Sequence, residues 1–393
     1  MKVLLITQHY FPQFGGIQTF LIRVVNCFKL EECIIIAPKE NKSSISPPTH
    51  HKIIRKPFYT IVGFLFSILS LFFIVQKNKI ERILCGHLRQ GIEAFFLFKM
   101  TGVPYYIFTY AKEIKVFKKS VLKRYILKKV LQNAAGIIAI SHYTKDCVLE
   151  FAQAKIGDEI ESKISLLNPI PDPPLHVQEH QVVKLKSLYN LHNKKVIFSV
   201  SRLEERKGID MVIKALPDVW QKIPNAVFVI ASSGPYEHTL RELALESLQK
   251  AQIPKEELEE RILFVGKISD DERAAWFTEC SVYATPSRII NDEDVEGYGI
   301  VFLEANLYGK PVIGGKSGGI PDAVVDGETG ILVNPVDVEE IASALIKLLS
   351  DEEYAKQMGE KGRKRVEEEF NQEVFCEKLH GILNRNYQSS ITN

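Results

Sequence analysis

Along the first part of the chain, short apolar runs alternate with amphipathic stretches, and glycine, proline and serine clusters punctuate them. Val3–Leu4–Leu5–Ile6–Thr7 is a run suited to a strand buried on both faces. The loop through Gly15 and Gly16 follows it, then an amphipathic segment from about Ile17 to Phe28. Further runs of the same kind lie at Ala135–Ser141, where Ser141 stands ready to cap the next helix, and at Ile164–Asn168. Pro169, Pro171, Pro173 and Pro174 then break regular structure and mark a linker. Beyond it the alternation restarts at Val196–Val200, Ala226–Ala231, Ile262–Gly266, Ser281–Ser287 and Pro311–Gly314, and helical periodicity takes over at about 337–350 and 353–385. The pattern predicts an α/β protein of two doubly wound, Rossmann-like parallel sheets. The expected boundaries are an amino-terminal domain over 1–170, a proline-rich linker and domain start over 171–194, a second domain over 195–370, and a final helix over 371–393 that returns to the first domain.

The stretch Glu296–Gly297–Tyr298–Gly299–Ile300–Val301–Phe302–Leu303–Glu304 sets two carboxylates eight positions apart, with a glycine turn and an apolar face between them. It reads as a loop opening a helix at about 299, with Glu296 in the loop and Glu304 on the helix. The first amides of such a helix suit a diphosphate, and the flanking carboxylates suit sugar hydroxyls. Taken alone, an ordinary capped helix with two solvated acids fits as well. Arg202 and Lys207 follow the strand Val196–Val200, where open parallel sheets bind ligands, and two cations there suit a diphosphate. Lys267 and Ile268 close the strand Ile262–Gly266, where their backbone is placed to meet a flat base. Gly15 and Gly16 bring amides close to a phosphate, but their spacing is not that of the dinucleotide fingerprint.

Composition narrows the class. With 393 residues, 46 % of them apolar, the chain is long enough for two or three globular cores. The net charge of +2 conceals an asymmetry: residues 1–184 carry 25 Lys and Arg against 13 Asp and Glu. Within that half, 112–129 holds Lys112, Lys115, Lys118, Lys119, Lys123, Arg124, Lys128 and Lys129 against Glu113, interleaved with apolar residues. This is a basic amphipathic segment fitted to anionic lipid, and with no nucleic-acid motif present, nucleic acid is not expected as a partner. Phe58–Val75 is an uncharged run at the lower limit of a membrane span, read here as a buried or membrane-touching helix. The six cysteines show no metal spacing and are expected to be reduced thiols in a cytoplasmic protein. The amino-terminus runs directly into a strand, so secretion is not expected.

Four motifs in order, Arg202…Lys207, Glu296-Gly-Tyr-Gly…Glu304, Ser-Gly-Gly-Ile-Pro-Asp at 317–322 and Asp-Gly-Glu-Thr-Gly at 326–330, resemble the retaining glycosyltransferases of family 4 over essentially the whole chain. The stretch from Asp294 is particularly similar to bacterial mannosyltransferases acting on phosphatidylinositol mannosides and to polysaccharide-assembling relatives. The resemblance implies a GT-B fold, two Rossmann-like domains facing a cleft, with the nucleotide sugar held mainly by the second and a lipid-linked or glycan acceptor by the first. It implies that Arg202 and Lys207 grip the diphosphate, Glu304 the ribose, Glu296 the sugar, and Gly15–Gly16 the phosphates. Lys267, Ile268, Gly297, Tyr298, Gly299, Ile300 and Val301 complete the donor site. Transfer of a hexose, mannose from GDP-mannose first and a UDP-sugar second, is expected with retention and without metal or other cofactor, on the inner face of the membrane. An epimerase, a phosphorylase or a non-transferring nucleotide-sugar scaffold are the other classes this cleft serves. One departure stands out: relatives carry a His-Gly-x-Glu-like segment where this chain has Tyr110–Ala111–Lys112–Glu113. Tyr110, a hydrogen-bond donor, and His87 are the candidate polar groups there.

Overall fold

The computed structural model describes residues 1–10, 15–39, 49–56, 61–114, 120–152, 157–292 and 294–391. The chain divides into two compact units, Met1–Ile170 with Gln372–Asn393, and Pro171–Asn371.

In the first unit β1 (Val3–Ile6), β2 (Cys33–Pro38), β3 (Lys52–Lys56), β4 (Arg82–Cys85), β5 (Tyr105–Thr109), β6 (Gly136–Ala139) and β7 (Ile164–Leu166) form one parallel sheet. Its order is β3-β2-β1-β4-β5-β6-β7. β1, β4, β5 and β6 are fully buried, which is why they read as unbroken apolar runs. The order reverses direction between β1 and β4. Right-handed crossovers therefore place the helices Ile61–Asn78, Gln90–Thr101 and Val121–Asn133 together on one face.

The apolar run at 58–75 lies mostly in the helix Ile61–Asn78; its first residues fall outside the described ones. Ile68, Leu71 and Val75 are buried, while Phe66, Leu69 and Phe73 are exposed. Among the described residues no helix is long and apolar enough to cross a membrane. The basic stretch at 112–129 falls only in part on described residues. Residues 115–119 lie outside the described residues, Glu113 is buried with its carboxylate accepting the Tyr110 amide at 2.6 Å, and the helix proper is Val121–Asn133.

The expectation of six reduced thiols is corrected. Cys27 and Cys376 form a disulfide across 349 positions of sequence, while Cys33, Cys85, Cys147 and Cys280 are free and buried. The pairing arises because the closing helix Gln372–Ile391 packs on the helix Gly16–Val25 of the same unit, a meeting no local cysteine spacing encodes. In that same unit the Tyr106 hydroxyl donates to the Leu383 carbonyl at 2.8 Å.

The second unit repeats the plan with β8 (Lys195–Val200), β9 (Ala226–Ala231), β10 (Ile262–Gly266), β11 (Val282–Thr285), β12 (Val312–Gly315) and β13 (Gly330–Val333), all parallel, in the order β10-β9-β8-β11-β12-β13. The reversal here lies between β8 and β11. The turn at 326–330, hairpin-like in sequence, instead ends a helical crossover: β12 and β13 are parallel, and the helix Ile320–Ala323 lies between them.

Candidate nucleotide-sugar site

At the carboxyl ends of β8 and β11, on either side of the reversal, two loops approach closely. A Cβ on Gly208 would stand 2.1 Å from the Pro286 carbonyl oxygen, and its φ of +71° is a left-handed value that favours glycine. Arg288, in the loop after β11, is bound bidentately by Asp210 at 2.8 and 3.0 Å, and its amide donates to the Arg206 carbonyl at 2.8 Å. The loop after β8 is thereby held in a single 3₁₀ turn, Glu205–Lys207.

That turn aims Arg206 and Lys207 at one carboxylate. Arg206 Nη1 donates to Glu296 Oε2 at 2.8 Å, and Lys207 Nζ pairs with the same oxygen. Burial pushes the Glu296 carboxyl up, but the charges of Lys207 and Arg206 and their hydrogen bonds outweigh it and hold it down at about 2. Glu296 itself is anchored from the next loop. The Gly319 amide donates to its carbonyl at 3.0 Å, and a Cβ on Gly318, at φ +57°, would meet that oxygen at 2.4 Å. The Ser317–Asp322 motif thus fixes the backbone of Glu296.

Gly299 adopts φ +94° and caps the helix Ile300–Leu307, whose buried face is Phe302, Leu303, Ala305, Asn306 and Leu307. Ile300 and Val301 stand half-buried on its first turn, and Glu304 follows one turn on. Burial pushes the Glu304 carboxyl up against the opposing charge of Arg273, 3.8 Å away. The Asp326–Gly330 motif locks this helix from behind: Asn306 Nδ2 donates to the Thr329 carbonyl at 3.1 Å, and Asp326 accepts the Leu332 amide at 2.8 Å.

Of the expected site residues, Lys207, Glu296 and the start of the Ile300–Leu307 helix come together. Arg202 lies on the same loop but points to solvent, its side chain 70 % exposed and paired with Glu204 at 3.1 Å. Arg206, which sequence reasoning passed over, takes the inward position. Lys207 and Arg206 differ from Arg202 only in falling within the turn, and nothing in the residue types signals that. Tyr298 is 2 % exposed with its hydroxyl buried, so it packs the loop rather than offering a side chain to a ligand, while Gly297 lies beside it in the same loop. Lys267 is exposed and Ile268 half-buried at the end of β10, the edge strand.

Gly15, Gly16, His87 and Tyr110 belong to the first unit. Gly15 is extended and caps the helix that Gly16 begins. Tyr110 does not supply a donor to a ligand: its hydroxyl donates to the Gly86 carbonyl at 3.0 Å, and its ring is buried against Phe20. Among the described residues no group of three His, Cys, Asp or Glu is arranged to hold a metal ion.

Residues 184–365 match the family of glycosyl transferases group 1. The chain is 28 % identical over 92 % of its length to a GDP-mannose-dependent alpha-(1-6)-phosphatidylinositol monomannoside mannosyltransferase of Mycolicibacterium smegmatis, covering 92 % of that protein. It is 29 % identical over 97 % of both chains to a GDP-mannose-dependent monoacylated alpha-(1-6)-phosphatidylinositol monomannoside mannosyltransferase of Corynebacterium glutamicum. Among solved structures, Anabaena HepE in complex with UDP superposes with a TM-score of 0.79 at 17 % identity, over 98 % of this chain and 99 % of that one. At that identity the likeness speaks for the fold, which is GT-B.

Proposed function

We propose that the protein, whose residues 184–365 match the family of glycosyl transferases group 1, transfers mannose from GDP-mannose to a lipid-linked mannoside. The observation that carries this reading is the meeting of Arg206 and Lys207 with Glu296 at the switch point of the second sheet, beside the first turn of the Ile300–Leu307 helix. The two cations and the amides of that turn receive the donor's diphosphate. Arg202 closes on it from solvent. Glu304 accepts the ribose hydroxyls, Lys267 and Ile268 border the base, and Glu296 accepts hydroxyls of the hexose.

As the glycosidic bond to the leaving phosphate breaks, charge accumulates on the diphosphate. Lys207, Arg206 and the helix amides stabilise it in place, which is work a bound metal would otherwise do. On this reading transfer proceeds without metal and with retention, the acceptor attacking from the face the phosphate leaves and giving it its proton.

The acceptor end is read as membrane-borne. The helices Ile61–Asn78 and Val121–Asn133 both pack on Gln90–Thr101. They share one face of the first sheet and expose Phe66, Leu69 and Phe73 on one side and Val121, Leu122 and Tyr125 on the other. Lys123 and Lys129 are exposed beside the latter. Aromatic and aliphatic side chains flanked by lysines suit the headgroup layer of an anionic leaflet, so we place the protein peripherally on the cytoplasmic face.

The test is a thermal-shift panel with GDP, UDP, ADP and their sugar conjugates, because a ligand of the folded state raises the melting temperature. GDP and GDP-mannose are expected to give the largest shifts, followed by mannose transfer to a phosphatidylinositol monomannoside. A shift confined to UDP would move the donor to the UDP-sugars. No shift with any nucleotide would refute the donor site.

A further inference from the structure

The helix Glu352–Glu369 covers the second unit, and Gly359, Gly362 and Arg365 fall three positions apart along one face of it. The two glycines let that face sit against the elements behind the candidate site. A Cβ on Gly359 would stand 1.9 Å from the Gly309 carbonyl oxygen, and one on Gly362 would stand 2.5 Å from Asn306 Nδ2, so this helix packs directly on the helix Ile300–Leu307. The same seating carries the Arg365 side chain, 18 % exposed, to the connection between β12 and β13. There Nη1 donates to the Ala323 carbonyl at 2.8 Å and Nη2 to the Asp322 carbonyl at 3.1 Å. Both carbonyls belong to the end of the short helix Ile320–Ala323, the end at which a helix leaves carbonyls for outside donors. The guanidinium is itself held: its Nε pairs with Glu369 at 3.5 Å, and its carbon stands 4.9 Å from the centre of the Phe370 ring.

We propose that Arg365 is a positioning residue for Glu296, acting through the Ser317–Asp322 loop. This deepens the transferase reading above and rests on its assignment of Glu296 to the hexose. The loop is gripped at two ends. At one, Arg365 binds the carbonyls of Asp322 and Ala323; at the other, the Gly319 amide donates to the Glu296 carbonyl at 3.0 Å, with Gly318 pressed against the same oxygen. Pro321 lies between the two grips and fixes a torsion there, so a shift at Asp322 is carried to the Glu296 backbone. Tyr298, two residues beyond Glu296, is buried within reach of the Arg365 charge, so the guanidinium stands beside both the loop and the segment the loop holds. That support matters because Arg206 and Lys207 both draw on Oε2 of Glu296, leaving Oε1 to accept a hexose hydroxyl. Where Oε1 stands is then set by the backbone, and the backbone by Arg365.

The test uses the full chain with Arg365→Met, which keeps an unbranched stem and removes both donors, and Arg365→Lys, which keeps the charge and can reach one carbonyl. GDP affinity and the kcat and KM of mannose transfer are measured for each, and again in the Glu296→Gln background. A small misplacement of a substrate-binding group costs up to about 100-fold, so Arg365→Met is expected to lower transfer kcat/KM about 10- to 100-fold while GDP, which has no hexose, binds within twofold of wild type. Arg365→Lys is expected to recover part of the loss. A residue acting through Glu296 adds little once Glu296 is gone, so the double variant is expected to match Glu296→Gln alone within threefold. Losses that multiply in the double variant, GDP affinity falling in step with transfer, or a folded Arg365→Met within twofold of wild type would each overturn the proposal. Should Arg365→Met fail to fold, the same cycle is read with Arg365→Lys, and multiplied losses or unchanged transfer overturn it there. Absence of transfer by the wild-type protein would instead overturn the transferase reading, and the positioning role with it.

Discussion

Glu296→Gln separates the structural from the functional work of the central carboxylate. In the resting protein this carboxylate neutralises Lys207 and Arg206, and its side chain is 19 % exposed. The two cations hold it from 4.5 down to about 2 despite the opposing burial. At about 1.36 kcal/mol per tenfold change in proton affinity, the ionised form stabilises the fold by roughly 3 kcal/mol. The amide keeps the shape and loses the charge, so urea unfolding at pH 7 is expected to show a loss of roughly 2–3 kcal/mol. The sign of the pH dependence follows from a depressed carboxyl. Its contribution is complete above the ordinary value of 4.5 and is lost as pH falls through about 2, so the gap between wild type and variant closes between about pH 5 and pH 2.

The same substitution has the opposite effect on the nucleotide. A diphosphate entering wild type competes with Glu296 for Lys207 and Arg206; in the variant those cations are unopposed. GDP affinity by titration calorimetry is expected to hold or rise severalfold. Mannose transfer is expected to fall about 10- to 150-fold, the value of one charged hydrogen bond to a hexose hydroxyl. Transfer within twofold of wild type would refute the contact with the hexose. A tenfold loss of GDP affinity would refute the competition and make Glu296 a residue that positions the cations.

Glu304→Gln is expected to leave stability unchanged or raise it by up to ~1 kcal/mol, because burial already disfavours the charged carboxyl, while GDP affinity drops about tenfold; unchanged affinity would remove Glu304 from the ribose. Ala111 adopts φ +81°, a left-handed value that favours glycine, so Ala111→Gly is expected to stabilise by about 0.5–1 kcal/mol in urea unfolding; a destabilised variant would show that the buried methyl outweighs the strain. Lys123→Glu with Lys129→Glu reverses two exposed charges on the Val121–Asn133 helix. At about 1 kcal/mol per basic residue near an anionic surface, binding to phosphatidylserine-containing vesicles is expected to weaken more than tenfold; equal binding would refute the membrane face.

The strands that were legible are those buried on both faces. Val3–Ile6, Gly136–Ala139 and Ala226–Ala231 carry their burial in their composition, because a strand covered on both faces of a parallel sheet is built almost wholly of apolar residues. Lys52–Lys56 went unread for the converse reason: it is the edge strand, reads Lys-Ile-Ile-Arg-Lys, and only its pairing with β2 makes it a strand.

In the site, the residues whose role follows from their own loop were legible, and those whose role depends on a remote partner were not. Glycines at 299 and 318 announce turns wherever the chain goes. By contrast, which of Arg202, Arg206 and Lys207 faces inward depends on how the loop after β11 grips the loop after β8, through Arg288 and Asp210, 78 positions apart. Tyr110 illustrates the same dependence. Its sequence position promises a hydroxyl for a ligand, yet the carbonyl of Gly86, just past the neighbouring strand, takes that hydroxyl, and the His87 ring stacks on the tyrosine. A polar side chain at a strand end meets a ligand only if no nearer backbone carbonyl claims its proton first, and that competition is settled by strand register, which residue type alone does not encode.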